Sequence, residues 1–329
     1  MKLSVLDQSP IRKDSNAREA LLETVQLAQL ADSLGYTRFW VSEHHSTTAL
    51  AGSTPEVLLA HLAGHTNRIR MGSGGVMLPH YSALKVAENF RLLETLFPGR
   101  IDLGVGRAPG GDRLTAYVLN PANQFNEKDF VQQLLDLQAY LNDLSEEGTV
   151  HEKVRAIPVA PSVPRQWILS SSGQSGLFAA HLGMGFAFAH FINPYGGPEA
   201  VQQYQARFQP SINLQAPETL VAVFVFCSED EEKVAQNRAV TAYRFLQLEK
   251  GRFEPVSFDE VKDVVYTPYE QQRIEANSPR FIMGTPPQVK EQLERLAEKY
   301  RTDEIMIANI ALSFEDRVRS YELLAELFL

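Results

Sequence analysis

Eight short apolar runs, near residues 3, 39, 71, 101, 167, 186, 222 and 306, are each followed by sequence with helical spacing. Strand and helix in alternation build a parallel sheet covered by helices, because every parallel crossover needs a helix-length connection. Eight units predict an α/β fold of the closed (β/α)8 kind, a TIM barrel, which ordinarily takes about 250 residues. The chain has 329 residues. The surplus of about 80 over that figure is expected as insertions near 108–126, 145–164 and 248–279, within a single barrel domain over 1–329. A doubly wound open sheet is the fallback. Gly104-x-Gly106-x-x-x-Gly110 has the wrong spacing for its dinucleotide fingerprint.

Local signals fill in the units. Leu21, Val25, Ala28, Leu30 and Ala31 repeat at helical spacing over 17–34, and Gly35 stands at the C-cap position. A strand over 38–42 runs into Glu43-His44-His45. Ser53-Thr54-Pro55-Glu56 carries helix-start chemistry for a helix reaching about residue 66. An apolar run from Ile69 ends in Gly72, Gly74 and Gly75, a helix is expected over 82–97, and a strand over 101–105 stops at Gly106-Arg107. Two successive glycine-rich exits let backbone approach a flat ligand closely. Further on, helices are expected over 127–144, 199–208, 287–300 and 314–327, and strands over 166–170, 185–189, 220–226 and 304–310. Ser171 to Gly176 forms a third small-residue exit, leading into a helix that ends at 182. Ser228 and Glu231 are spaced as a capping box, and 248–279 has no clear periodicity.

The formal net charge is −9, with no Lys/Arg cluster, which argues against binding a nucleic-acid backbone. Cys227 is the single cysteine and cannot form an internal disulfide. Asp7 and Arg12 interrupt any signal-peptide core, and the longest apolar run, 220–227, is far short of the ~20 residues that span a bilayer. A soluble, cytoplasmic protein is expected, with no membrane partner.

Functional groups of such a barrel sit at the C-terminal strand ends. The polar residues there are Asp7, Glu43, His44, His45, Arg107, Ser171, Ser172 and His190. His-His beside a glutamate is not HExxH, and no later carboxylates complete a metal site; none is expected. Arg107 and the turn carrying Ser172, Gly173 and Ser175 fit a phosphate pocket, since a helix N-terminus and an arginine fork both favour an anion. Equally, the serines can simply cap the helix while Arg107 pairs with Asp102 or Asp112. Of the adjacent histidines, one should face the barrel mouth and the other should pack sideways.

FWVSEHH, IRMGSGGVMLPHYSALKVAENFRLLETLFPGRIDLGVGRAPG, WILSSSGQSGLFAAHLGMGFAFAH and MGTPPQVKEQLERLAEKYRTDEIMI together resemble the bacterial luciferase-like flavin monooxygenases, in their non-luminescent subgroup. The resemblance implies a TIM barrel that binds reduced FMN, supplied by a separate flavin reductase, and uses O2 to oxidise a small organic substrate. It places Arg107, Ser172 and Ser175 at the flavin phosphate, with Ser171 and Gly173 in the same turn. It places Gly74 and Gly75 where the ring rests, often beside a non-prolyl cis peptide, with Gly106 nearby. His44 matches the histidine implicated in the oxidation, and Glu43 is its neighbouring acid. Gly106 stands where the light-emitting subunit has a reactive cysteine, so luminescence is not expected. A homodimer through 53–66 and 82–97 is implied. Residues 248–279, with Arg252, Phe253, Tyr266 and Tyr269, read either as a lid over the mouth or as an irregular surface insertion. A deazaflavin-dependent dehydrogenase and a non-catalytic flavin-binding protein are the competing readings.

Overall fold

Ten parallel strands form one sheet in the computed structural model, which describes residues 1–13, 15–123 and 126–329. They are β1 (Lys2–Asp7), β2 (Arg38–Val41), β3 (Arg70–Ser73), β4 (Val76–Met77), β5 (Ile101–Gly106), β6 (Arg165–Ser170), β7 (Gly185–Ala189), β8 (Thr219–Cys227), β9 (Phe281–Gly284) and β10 (Glu304–Asn309). Eight of them close the expected barrel in the order β1-β2-β3-β5-β6-β7-β8-β10, with β10 paired to both β8 and β1. The register runs continuously across the closure: Val5 lies opposite Phe39 on one side and Ile307 on the other, and Ile307 opposite Val223. β4 continues the β3 exit against β5. β9, which sequence did not predict, pairs with β8 outside the ring.

Side-chain alternation explains why these strands read as unbroken apolar runs. In β8, Leu220, Ala222 and Phe224 face the barrel interior, whereas Val221, Val223 and Val225 pack under the helices. β10 does the same with Met306 and Ala308 inward, Ile305 and Ile307 outward. Both faces are buried, so neither needs polar residues.

The N-terminal end of the barrel is plugged by charge. Arg38 donates to Glu304 at 2.6 Å and to Asp102 at 2.8 Å, Arg70 donates to Asp102 at 2.8 Å, and Ser4 to Glu304 at 2.6 Å. Trp40 joins through its indole N–H, which donates to Asp102 at 2.9 Å, and packs edge-on against Trp167 at 5.5 Å between ring centroids. These groups close one end and leave the other for a site.

The helices are α1 (Ala17–Leu34), α2 (Pro55–Gly64), α3 (Ala83–Leu96), α4 (Arg113–Leu119), α5 (Glu127–Leu141), α6 (Gly173–Leu182), α7 (Gly197–Arg207), α8 (Glu231–Glu249), α9 (Phe258–Val261), α10 (Pro268–Asn277), α11 (Pro286–Tyr300) and α12 (Phe314–Phe328). α1 ends at Gly35, whose φ of 88° is left-handed and whose N–H bonds Ala31 and Asp32 carbonyls. α8 departs from expectation: Asp230, not Ser228, caps it by accepting the Glu232 and Lys233 amides, because its carboxylate is one residue from the first turn. α2 stops at Gly64 rather than near 66.

The insertions hold more structure than their sequence suggests. α4 lies in 108–126, of which 124 and 125 fall outside the described residues. The 145–164 stretch is laid over α3, where Arg91 donates to the Pro158 carbonyl at 2.7 Å and pairs with Asp143 at 2.9 Å. The 248–279 stretch contains α9 and α10. α10 begins with a Thr267–Glu270 capping box and is tied to α8 by Arg273–Glu249 at 2.7 Å. Among the described residues no helix is long and apolar enough to cross a membrane.

Candidate active site

Two cavities open at the C-terminal ends of the strands, and Leu6 lines both. The smaller, about 310 Å³, is floored by Trp40, Leu169, Leu220 and Met306. Its rim carries Gly74, Gly75, Gly106, Arg107, Ser170, Ser171, Ser172 and Ser175. The larger, about 770 Å³, is lined by His44, His45, Phe224, Arg244, Phe245 and Asn309, and by the segment from Arg252 to Phe258. Phe191 of the smaller cavity and Phe224 of the larger pack with ring centroids 5.0 Å apart, an aromatic wall between the two.

The β3 exit makes the smaller cavity narrow. The Gly74–Gly75 peptide is cis. A Cβ on Gly75 would stand 2.7 Å from the Gly104 carbonyl oxygen, so only glycine lets the β3 exit approach β5 so closely, while one on Gly74 would meet Leu6 Cδ1 of β1 at 2.6 Å. Ser73 fastens the pair, its hydroxyl donating to the Gly104 carbonyl at 2.8 Å. Gly106 is different. A Cβ there would meet only the Leu169 carbonyl oxygen at 3.9 Å, so the space beside it is open for a ligand.

Arg107 points across the cavity rim to α6. Its guanidinium donates to the Gln174 side-chain oxygen at 3.2 Å, and Gln174 donates to Glu127 at 2.5 Å. The alternative pairing with Asp102 or Asp112 is absent: Asp102 is taken by Arg38, Arg70 and Trp40 on the barrel floor, and Asp112 caps α4 through the Thr115 amide at 2.9 Å. Ser172 occupies the N-cap position of α6 but makes no side-chain cap bond. Its amide donates instead to the Ser170 hydroxyl at 3.1 Å. The first-turn N–H groups of α6, beginning at Gly173, therefore have no side-chain cap, and an arginine stands beside them. Such an arrangement attracts an anion. Gly173 itself belongs to that turn but does not line the cavity.

Glu43 is fully buried and lines neither cavity. One oxygen accepts the Tyr81 hydroxyl at 2.6 Å and lies 2.7 Å from His45 Nε2; the other accepts the Met77 amide at 2.9 Å. Burial, and then Glu43 itself, raises the Tyr81 pKa, so the phenol stays protonated as a donor. The acid thus clamps the end of β2 to the chain just beyond Gly75. Tyr81 and Met77 escaped the sequence reading because their only signal is spatial.

His44 and His45 both line the larger cavity, so they do not share the smaller one with Gly74, Gly75 and Arg107. His44 Nδ1 lies 3.1 Å from the Ser42 hydroxyl, and among the described residues no protein group engages Nε2. Burial, with a smaller contribution from His45, pushes its pKa down to about 4. At neutral pH it is an uncharged imidazole able to take or hold a proton. His190 lies outside the site: Nδ1 meets the Tyr300 hydroxyl at 2.8 Å and Nε2 the Pro279 carbonyl at 2.9 Å. Asp7 is likewise engaged, accepting from Arg317 at 2.6 Å.

The closed parallel barrel thus carries, at the C-terminal ends of its strands, a glycine-walled slot beside an arginine and a helix N-terminus without a side-chain cap. Residues 1–303 match the model of the luciferase-like monooxygenases, and the chain belongs to that family. It is 52% identical to the protein YwcH of Bacillus subtilis (strain 168), over 100% of this chain and 99% of that one. It is 37% identical to the N-acetyl-S-alkylcysteine monooxygenase of the same organism, over 99% and 98% of the two chains. Apo-MsnO8 superposes with a TM-score of 0.90 at 36% identity, covering 99% of this chain and 98% of that one. The FMN complex of the oxygenating constituent of 3,6-diketocamphane monooxygenase from Pseudomonas putida (TM-score 0.71, 18% identity) and an F420-dependent secondary alcohol dehydrogenase (0.69, 12%) share the fold. They cover 99% of this chain, and 97% and 98% of theirs.

Proposed function

We propose that this protein is a monooxygenase that binds reduced FMN in the smaller cavity and uses O2 to oxidise a small organic substrate in the larger one. The observation that carries this reading is Arg107 beside the uncapped N-terminus of α6, on the rim of a slot walled by Gly74, Gly75 and Gly106. FMN would bring a phosphate to the first and a flat ring to the second.

Bound reduced FMN supplies the electrons and the ring at which O2 reacts. The chain supplies the rest. Arg107 and the Ser171–Ser172–Gly173–Ser175 turn would hold the phosphate, and Trp40, Leu169 and Leu220 would keep water from the cavity. Glu43 positions the β4 backbone through the Met77 amide. His44, uncharged and with Nε2 unengaged, accepts or returns a proton on the substrate side. A reductase delivers the reduced flavin transiently. The chain acts as one barrel unit, paired with a second copy through α2 and α3, where Val57, Leu92 and Leu96 are exposed apolar residues.

The test is anaerobic loading with FMNH2, then 18O2 with a panel of thioethers, aldehydes and ketones. One labelled oxygen atom in the product supports the reading. Alcohol oxidation with a deazaflavin and no O2 would replace it with a dehydrogenase. Tight FMN binding with no turnover across the panel would leave a flavin-binding protein.

A further inference from the structure

The larger cavity contains a cation for which the described residues provide no counter-charge. Arg244, on α8, lines it, and lies deep among protein atoms while keeping part of its surface open to the cavity. The other cations there are engaged. Arg12 pairs with Glu23, Lys13 with Glu260 at 2.5 Å, and Arg317 with Asp7 at 2.6 Å, while Arg252 donates to Gln247 at 3.3 Å. Among the described residues Arg244 has no hydrogen bond, and no carboxylate comes within the 4.0 Å of an ion pair, Glu254 on the same cavity included. Desolvation alone acts on its guanidinium and lowers its pKa.

An uncompensated buried charge is costly, and a fold has no structural reason to retain it. Next to Arg244 the wall is apolar: Phe224, Phe245 and Leu248. A guanidinium without a protein partner, beside an apolar wall, suits a molecule with one anionic end and an apolar body.

We propose that the larger cavity binds an organic carboxylate, its two oxygens on the Arg244 guanidinium and its apolar portion against Phe224 and Phe245. This deepens the monooxygenase reading by naming the substrate class, and rests on it only for the word substrate. The binding itself is independent of turnover. Arg107 and Arg244 lie on different cavities, so the charge on Arg244 is not needed for a flavin phosphate held at Arg107.

Calorimetric titration with 4-phenylbutanoate and the isosteric 4-phenylbutanamide tests it on the full chain. The wild type should bind the acid at least about ten-fold more tightly than the amide, the scale of one charge-assisted pair. Arg244→Met should erase that preference and Arg244→Lys should keep part of it. Thermal unfolding of Arg244→Met should start no lower than wild type, because no protein partner is lost. Equal affinities for acid and amide in the wild type, no acid binding at millimolar concentration, or a preference that survives Arg244→Met would each overturn the proposal. So would a selective loss of FMN over riboflavin affinity in Arg244→Met, which would assign the arginine to the cofactor phosphate. Acid selectivity in a protein that binds no flavin would uphold the anion site while sinking the monooxygenase reading. Flavin-dependent oxygen transfer without acid selectivity would do the reverse.

Discussion

Glu43 accepts the Tyr81 hydroxyl at 2.6 Å while its second oxygen accepts the Met77 amide at 2.9 Å, so one buried carboxylate ties β2, β4 and the approach to α3 together. The acid beside the histidines is thus a bracket for the glycine slot rather than a group facing either cavity.

That relationship sets the first prediction. Glu43→Ala strands a buried hydroxyl and a backbone amide, each costing ~1–3 kcal/mol when unsatisfied. Urea unfolding should show a loss of roughly 2–6 kcal/mol for the two together, with Glu43→Gln losing less because it keeps one acceptor oxygen. Equal, near-zero losses would mean the bracket carries no stability.

His44 and His45 should separate. His44→Ala should slow substrate oxidation by roughly 10²–10⁴-fold with little change in flavin affinity. His45→Ala should mainly lower stability, since His45 Nε2 lies 2.7 Å from Glu43. Steady-state rates and urea midpoints on the same preparations read both.

The His44 pKa gives a pH signature. The group titrates near 6.5 when unfolded and about 4 in the fold, so the unfolded chain binds the extra proton in between. Wild-type stability is therefore intact above about pH 6.5 and is lost as pH falls toward 4, by up to ~3 kcal/mol at 1.36 kcal/mol per unit. His44→Gln should flatten that part of the curve. Parallel curves for the two proteins would contradict the depressed pKa.

On the barrel floor, Arg38 and Arg70 hold the Asp102 carboxyl below its usual range despite burial that pushes the other way. Asp102→Asn should cost ~3–5 kcal/mol, the price of a broken buried pair, yet leave flavin affinity unchanged. Denaturant unfolding beside flavin titration distinguishes this from a role in the site.

Much of this was legible in the sequence because barrel strands bury both faces and so read as apolar runs. α1 shows why a helix end can be read too: Gly35 marks its C-cap locally, whereas Asn16, which caps its start, was not singled out. β9 escaped because Phe281–Gly284 follows a stretch without periodicity and pairs with β8 outside the ring, and α10 because PYEQQRIEAN has no apolar stripe and depends on Glu249 of α8. The rim residues from Gly74 to Ser175 were found at strand ends. Arg244 was not, since what distinguishes it is a missing partner, and no sequence pattern records one.

The central claim is a flavin phosphate held by Arg107 and the N-terminus of α6. FMN and riboflavin affinities, measured side by side in wild type and Arg107→Ala, test it most directly. Losing charge-assisted bonds of roughly 1.5–3 kcal/mol should weaken FMN by about ten-fold or more and leave riboflavin almost untouched. Equal losses for the two flavins, or no loss for either, would contradict it.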